Sequence, residues 1–188
     1  LRAILRHDPD IVMVGEIRDP ETAQVAMQAA LTGHLVFSTL HTNDAPGAVT
    51  RLLDMGIEPF LITSTLHGVL AQRLVRRLCP TCRAPGEPTA EEVALLNLER
   101  STRSPTLMRP VGCERCQGLG FQGRIGMFEL LILSETMRPL ILERASLTGL
   151  REAARQTGMR TLREEGLRKV LAGETTLQEA LRETQDYD

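Results

Sequence analysis

Two pairs of cysteines are the strongest indication of chemistry in this sequence. Cys79 and Cys82 form one pair, Cys113 and Cys116 form the other, and residues 83–112 separate them. A two-residue spacing lets a tight turn direct two thiolates at one metal ion, and two such turns complete a four-sulfur zinc site. The favoured interpretation is therefore one structural Zn²⁺. Two disulfides or redox pairs are the alternative.

A carboxylate near the start of the sequence is the second candidate. The apolar segment Ile11–Val14 predicts a strand buried on both faces, and Gly15-Glu16 follows its carboxyl end. In nucleotide-hydrolysing α/β domains, ligands gather at this end of the strands, where a carboxylate polarises water or reaches the magnesium shell. Glu16 is suited to a general base. Taken alone, such a glutamate is more often a surface turn residue.

Two histidines flank a second apolar segment. His34 and His41 lie at the two ends of a strand predicted over Leu35–Leu40, with serine and threonine hydroxyls nearby. A single histidine there is more often a hydrogen-bonded structural group. Two of them, beside a strand that ends at Glu16, indicate a sensor of a terminal phosphate.

The elements expected to position these residues form an α/β unit. Asp19-Pro20 predicts the start of a helix that runs to about Leu31, because aspartate caps a helix and proline suits its first turn. Strand, helix and strand in this order predict a parallel crossover. Further helices are predicted for residues 43–55 and 59–67, whereas residues 68–78 fit a helix or a strand. Strand character returns at Met127–Leu133, and helices are predicted beyond it.

Composition limits the classes of function. The sequence has 188 residues, 42% of them hydrophobic, and a formal charge of −2, so it predicts a globular chain without an overall field that attracts nucleic acid. No apolar run approaches the roughly 18–20 residues that span a bilayer.

Lys169 is the one lysine and no phosphate-loop glycine precedes it. Because Leu1, Ile4 and Leu5 share a helical face, a fragment that starts inside a helix is expected.

Longer motifs resemble a known family. Asp10–Asp19 resembles the Walker B segment, and Thr32–Ala45 resembles the histidine box, of the type II secretion and type IV pilus assembly ATPases. The resemblance includes the four cysteines and continues through Leu70–Leu74, Gly123–Leu130 and Leu162–Leu167. It covers nearly the whole chain apart from residues 83–112 and the last few positions.

The resemblance implies an architecture. It is that of the C-terminal part of such an ATPase: a partial RecA-like P-loop core of α/β class that lacks the phosphate loop, an inserted four-cysteine zinc module and a C-terminal helical subdomain. The expected boundaries are 1–78 for the core, 79–116 for the zinc module, 117–133 for a return to the core and 134–188 for the helical subdomain.

The resemblance also implies roles for residues. Glu16 would be the catalytic carboxylate, His41 would face the terminal phosphate of ATP and His34 would give structural support, with Mg²⁺ as the second cofactor. Arginines in matching segments are candidates for contacts with nucleotide or with a neighbouring subunit: Arg2, Arg6, Arg18, Arg51 and Arg124.

The implied protein is a homo-hexameric motor. It would couple ATP hydrolysis to assembly of a pilus or pseudopilus, in the cytoplasm, attached peripherally to the inner membrane through an assembly-platform protein. Without a phosphate loop, the 188 residues alone are expected to be inactive.

A zinc-ribbon module that binds nucleic acid or protein is the main alternative. Few aromatic residues and a near-zero charge argue against a nucleic-acid partner, and a purely structural zinc scaffold would leave Glu16 and the histidines unexplained.

Overall fold

The computed structural model describes residues 9–96 and 106–184. In chain order the elements are β1 (Ile11–Val14), α1 (Pro20–Leu31), β2 (Leu35–Ser38), α2 (Ala45–Asp54), α3 (Pro59–Thr65), β3 (Gly68–Leu78), β4 (Ala84–Gly86), α4 (Ala90–Leu95), β5 (Leu107–Arg109), β6 (Phe121–Ile132), α5 (Met137–Leu142), α6 (Leu147–Gln156), α7 (Leu162–Leu171) and α8 (Leu177–Arg182). Two compact units divide the chain. The first consists of the described residues up to Ala71 with Leu130–Met159, and the second of Gln72–Glu129 with the described residues from Arg160 onward.

The first unit begins with the predicted parallel crossover. Strands β1 and β2 pair in parallel, with Ile11 opposite Leu35. Helix α1 connects them and begins where the sequence predicts, because the Asp19 carboxylate accepts a hydrogen bond from the Thr22 amide at 2.8 Å and proline occupies the first turn. The crossover therefore brings the carboxyl ends of β1 and β2 to the same edge of the sheet.

Burial of β1 differs from the prediction. Val12 and Val14 are buried, but Ile11 and Met13 are 61% and 77% exposed, so the expectation of a strand buried on both faces is wrong for the described residues. Alternate side chains of a strand point to opposite faces of the sheet. Among the described residues, the face that carries Val12 and Val14 packs against the apolar core of the unit.

Helices from two separate parts of the sequence form that core. Helices α1, α2, α3, α5 and α6 pack on one another. The Asp44 carboxylate caps α2 by accepting a hydrogen bond from the Gly47 amide at 2.8 Å, and it also accepts one from Arg151 Nε of α6 at 2.7 Å. The largest fully buried side chains in this unit are Leu52, Ile62, Leu131, Met137, Ile141 and Leu150.

The ambiguous segment, residues 68–78, is a strand. It forms β3, which pairs with β6 in a two-stranded sheet. Strand β6 begins at Phe121, earlier than the predicted Met127. The arginine-rich pattern of this segment does not decide between helix and strand. Pairing with β6 decides it, because the pairing satisfies the backbone hydrogen-bonding groups.

The second unit surrounds the cysteines. Strands β4 and β5 form a short antiparallel pair, and α7 packs on α8 and on β5. Gly166 allows α7 to lie close to Met127 of β6 and Ala180 of α8, because a Cβ at Gly166 would lie 2.8 Å from Met127 Sδ and 3.1 Å from Ala180 Cβ. The Glu179 carboxylate of α8, 3% exposed, accepts hydrogen bonds from Arg76 Nη2 at 2.6 Å and from the Arg76 amide at 3.3 Å.

The compact units divide the chain at positions other than the predicted domain boundaries, which stay a prediction. The segment 134–188, expected to be one helical subdomain, is divided: α5 and α6 belong to the first unit and α7 and α8 to the second. The reason is the choice of packing partner, since α5 packs on α3 and α6 on α2. Within the second unit, Arg83 Nη1, next to the first cysteine pair, donates a hydrogen bond to the Gly173 carbonyl at 2.6 Å.

Candidate functional site

Glu16 lies two residues beyond β1, between two basic side chains. Its Oε2 is 2.6 Å from Arg18 Nε, and its Oε1 is 2.5 Å from His41 Nε2. Arg18 follows on the same loop, whereas His41 comes from the segment after β2, so the parallel pairing of the two strands brings them together. The Glu16 side chain is 22% exposed, compared with 86% for His41. The carboxylate is therefore held at the sheet edge by groups that face solvent.

The surroundings of Glu16 favour its ionised form. The hydrogen bond from Arg18 lowers the pKa of the Glu16 carboxyl most strongly, partial burial opposes this effect, and the charges of Arg18 and His41 lower the pKa further. The same contact raises the pKa of Arg18. Glu16 is thus a carboxylate at neutral pH, able to accept a hydrogen bond or a proton from a water molecule.

The two histidines do not form a pair. His34 precedes β2 and His41 follows it, so they lie at opposite ends of the strand. His34 Nδ1 is 3.0 Å from the Ala29 carbonyl and 3.2 Å from Thr32 Oγ1, at the C-terminal end of α1. The two histidines make separate contacts: His41 contacts Glu16, and His34 contacts the end of the helix, where lone carbonyls need partners. A phosphate-sensing role for them stays a prediction.

The arginine candidates are dispersed. Arg18 contacts Glu16, as described above. Arg51 lies on α2 and Arg124 on β6 in the second unit, and both side chains are exposed. Arg2 and Arg6 lie outside the described residues. Of the arginines that the structure describes, Arg18 is the candidate with a contact to the carboxylate.

The four cysteines converge on one point in the second unit. Their sulfur atoms all lie within 4.8 Å of one another. Cys116 Sγ is 3.8 Å from both Cys82 Sγ and Cys113 Sγ. Zinc–sulfur bonds of about 2.3 Å in a tetrahedron require sulfur–sulfur distances of about 3.8 Å. No disulfide joins these four residues, and Cys79 and Cys116 are buried. The donor set and its spacing fit a structural zinc ion.

Backbone amides donate hydrogen bonds to the sulfur atoms of Cys82 and Cys116. Cys116 Sγ accepts hydrogen bonds from the amides of Cys113 and Gly120, both at 3.2 Å. Burial opposes ionisation of Cys116, but these amides and the neighbouring thiols lower its pKa to about 6. Burial is the main effect at Cys82 and raises its pKa to about 11 although the Gly112 amide donates to its sulfur at 3.3 Å. Four thiols packed this closely cannot all ionise without a cation among them.

Local backbone geometry forms the second cysteine turn. Residues Glu114–Cys116 form one turn of 3₁₀ helix, and Gln117 then adopts a left-handed φ of 53°. At Gly112, with φ of 105°, a Cβ would lie 2.6 Å from the Gly118 carbonyl oxygen, so only glycine fits this close approach. The Cys79 amide donates to the Gly120 carbonyl at 2.9 Å and links the first turn to the second.

Comparison with known proteins decides the family. The model of the family described as "Type II/IV secretion system protein" matches residues 1–182. The chain belongs to this family. Over 186 residues it is 55% identical to the type II secretion system protein E of Pseudomonas aeruginosa, and over 185 residues it is 54% identical to the type IV pilus assembly ATPase PilB of Thermus thermophilus. These alignments cover 99% and 98% of the chain. The resemblance to secretion and pilus assembly ATPases is confirmed.

The chain spans only part of these family members. It covers 37% of the Pseudomonas protein and 21% of the Thermus protein. Among solved structures it is similar to the pilus retraction motor PilT with bound ADP, with a TM-score of 0.66 and 28% identity over 97% of this chain and 41% of that one. The DotB ATPase of Legionella pneumophila, at a TM-score of 0.65 and 23% identity, shares the fold. The predicted α/β class is confirmed.

The helices are short. Within residues 9–96 and 106–184, none has both the length and the apolar character required to cross a lipid bilayer.

Proposed function

We propose that this chain contributes Walker B-type and histidine-box elements to a homo-hexameric ATPase that drives assembly of a pilus or pseudopilus. One observation carries the proposal: Glu16, at the carboxyl end of a strand in a parallel pair, is ionised and contacts both His41 and Arg18. Ligands of open α/β sheets bind beyond this end of the strands. Two similar proteins are named for type II secretion and type IV pilus assembly, which supports the motor class.

In the proposed mechanism, Glu16 is the general base. Its carboxylate orients the water that attacks the terminal phosphate of ATP and accepts the proton of that water. His41 and Arg18 contact the two carboxylate oxygens. The exposed His41 ring would meet the phosphate. His34 supports β2 through the end of α1. Mg²⁺ bound with the nucleotide would neutralise phosphate charge.

The phosphate cradle is proposed to come from residues other than these 188. Lys169 lies on α7 with Arg168 before it, not the glycine of a phosphate loop. The RecA-like core is therefore partial in this chain, and we expect the isolated chain to hydrolyse ATP negligibly. The same proposal includes a cytoplasmic location and a partner protein of the inner-membrane assembly platform. It also includes arginine contacts to the nucleotide or to a neighbouring subunit; the candidates are Arg2, Arg6, Arg18, Arg51 and Arg124.

We further propose that one structural Zn²⁺ is held by Cys79, Cys82, Cys113 and Cys116. Sulfur distances of 3.8 Å and amide hydrogen bonds to two of the sulfurs support it. All four positions of a tetrahedron would be filled by thiolates, so the ion would stabilise the second unit and take no part in hydrolysis.

The test of the proposed function is steady-state ATP hydrolysis by the longer protein that contains this chain. Glu16→Gln keeps the shape of the side chain and removes its basicity, so we expect the rate to fall about 10²–10⁴-fold while ATP still binds. Glu58→Gln is the matched control, because Glu58 is an exposed glutamate of the same unit. An unchanged rate in Glu16→Gln would refute the role of Glu16.

A further inference from the structure

Thr39 contacts the chain on both sides of Glu16. It follows β2 directly, and its hydroxyl donates a hydrogen bond to the Gly15 carbonyl at 2.7 Å. Its own carbonyl accepts a hydrogen bond from the Ile17 amide at 2.9 Å. Thr39 therefore binds the residue before Glu16 and the residue after it, although 24 positions separate Thr39 from Gly15 in the sequence.

The backbone at Gly15 is open on its exposed side. Within the part of the chain that the structure describes, no atom apart from Gly15 and its two chain neighbours lies within 4 Å of the position that a Cβ of Gly15 would occupy, and Gly15 is exposed. Glycine also has the largest conformational freedom of any residue. A tether at its carbonyl therefore restricts the peptide from which the Glu16 side chain projects.

The two hydrogen bonds differ in what they require of the side chain. Any residue at position 39 offers the carbonyl that binds Ile17, but only a hydroxyl can donate to Gly15 as seen here. We propose that the Thr39 hydroxyl is a positioning group for Glu16, which sets the carboxylate at the distance and angle needed to meet the attacking water. This inference depends on the proposed role of Glu16 as a general base.

The chemistry predicts a specific kinetic effect. Displacement of a reacting group by about 1 Å can cost about a hundredfold in rate. Thr39→Val removes the hydroxyl and keeps the shape, so we expect kcat to fall roughly tenfold to a hundredfold, with KM for ATP nearly unchanged. Thr39→Ser restores the hydroxyl and is expected to recover most of kcat.

The experiment uses the longer protein, with ATP hydrolysis and ATP binding measured for each variant. Thr50→Val is the matched control, because the Thr50 hydroxyl donates its hydrogen bond to the Gly47 carbonyl within α2. Thr39→Val is also combined with Glu16→Gln. If Thr39 acts through Glu16, the second substitution should add no further loss, since two residues that act as one unit are not additive.

The outcomes separate this inference from the proposed function. Full activity of Thr39→Val, together with inactive Glu16→Gln, would overturn the positioning role and leave the general base intact. Equal losses from Thr39→Val in the wild-type and Glu16→Gln backgrounds would also overturn it. Unchanged hydrolysis by Glu16→Gln would instead refute the proposed function itself.

Discussion

The Glu16 site and the four-cysteine site differ in how much of a site this chain provides. All four sulfur ligands lie within 4.8 Å of one another in the second unit, so the donor set for a metal ion is complete. In the first unit, Glu16 has its two neighbours, but its contacts are at an exposed sheet edge and the chain contains no lysine phosphate loop. The four cysteines therefore form a complete donor set within this chain, whereas under the proposed function the Glu16 site would take its phosphate-binding groups from other residues.

Removal of one of the four clustered cysteines, the proposed zinc ligands, should produce the largest change in stability. We expect Cys116→Ser to lose the metal and to unfold the second unit, because structural zinc contributes about 10–16 kcal/mol of binding free energy. The first unit draws its core from other residues and should keep its helical signal. Zinc content by elemental analysis and unfolding by circular dichroism measure the two effects.

A matched substitution sharpens this prediction. Ser104→Ala changes a hydroxyl within the segment between the cysteine pairs and should keep one zinc per chain. A stable second unit without metal in Cys116→Ser would contradict the zinc assignment and favour the structural role of the protein side chains alone.

Breaking a buried ion pair should have an intermediate effect. Glu179→Ala removes the acceptor of Arg76 and Arg182 hydrogen bonds, at a carboxylate that is 3% exposed. Arg76 is half exposed and can be solvated, so we expect a loss of about 2 kcal/mol in the free energy of unfolding. Urea denaturation monitored in the second unit measures it.

The same pair predicts a dependence on pH. The hydrogen bond from Arg76 lowers the pKa of Glu179, with burial opposing it. A lowered folded-state pKa contributes stability above the ordinary value of about 4.3, and this contribution is lost as pH falls toward the folded-state value. Glu179→Ala should therefore flatten the acid side of the stability profile, and an identical profile for wild type and variant would contradict the pairing.

The sequence anticipated local features better than distant ones. The Asp19 cap, α1 and the two strands were predictable, because the hydrophobic period and the capping residues act over a few positions. Cysteine spacing predicted each pair for the same reason, and the four ligands that one zinc ion requires predicted that the two pairs come together. The exposed face of β1, the contact of His41 with Glu16 and the hydrogen bond of Thr39 to Gly15 depend on which elements pack together.

The C-terminal helices show what the sequence does not predict, which is the partner that each helix packs against. Capping residues predict helix starts near Ser146, and Ser146 does cap α6. They carry no information on packing partners, which are α2 for α6 but α8 and β5 for α7. A boundary at residue 134 therefore followed the change from strand to helix, whereas the compact units follow tertiary packing.

Removal of the Arg18 charge should give the smallest effect. Arg18 is the main group that lowers the pKa of Glu16, and its side chain is 76% exposed. Arg18→Gln should raise that pKa and move the acid limb of kcat/KM for ATP to higher pH, while Arg18→Lys, which keeps the charge, should move it less. Salt weakens exposed charge interactions, so the shift should shrink at high ionic strength. An acid limb of kcat/KM at the same pH in wild type and both variants would contradict the effect of Arg18 on the pKa of Glu16.

The central claim is that Glu16 acts in the chemical step, and single-turnover cleavage of ATP tests it most directly. With the longer protein in excess over ATP, binding and chemistry are separated. We predict that Glu16→Gln binds ATP and leaves it intact at least about a hundredfold longer than wild type does. Cleavage of bound ATP by Glu16→Gln at the wild-type rate would contradict the claim.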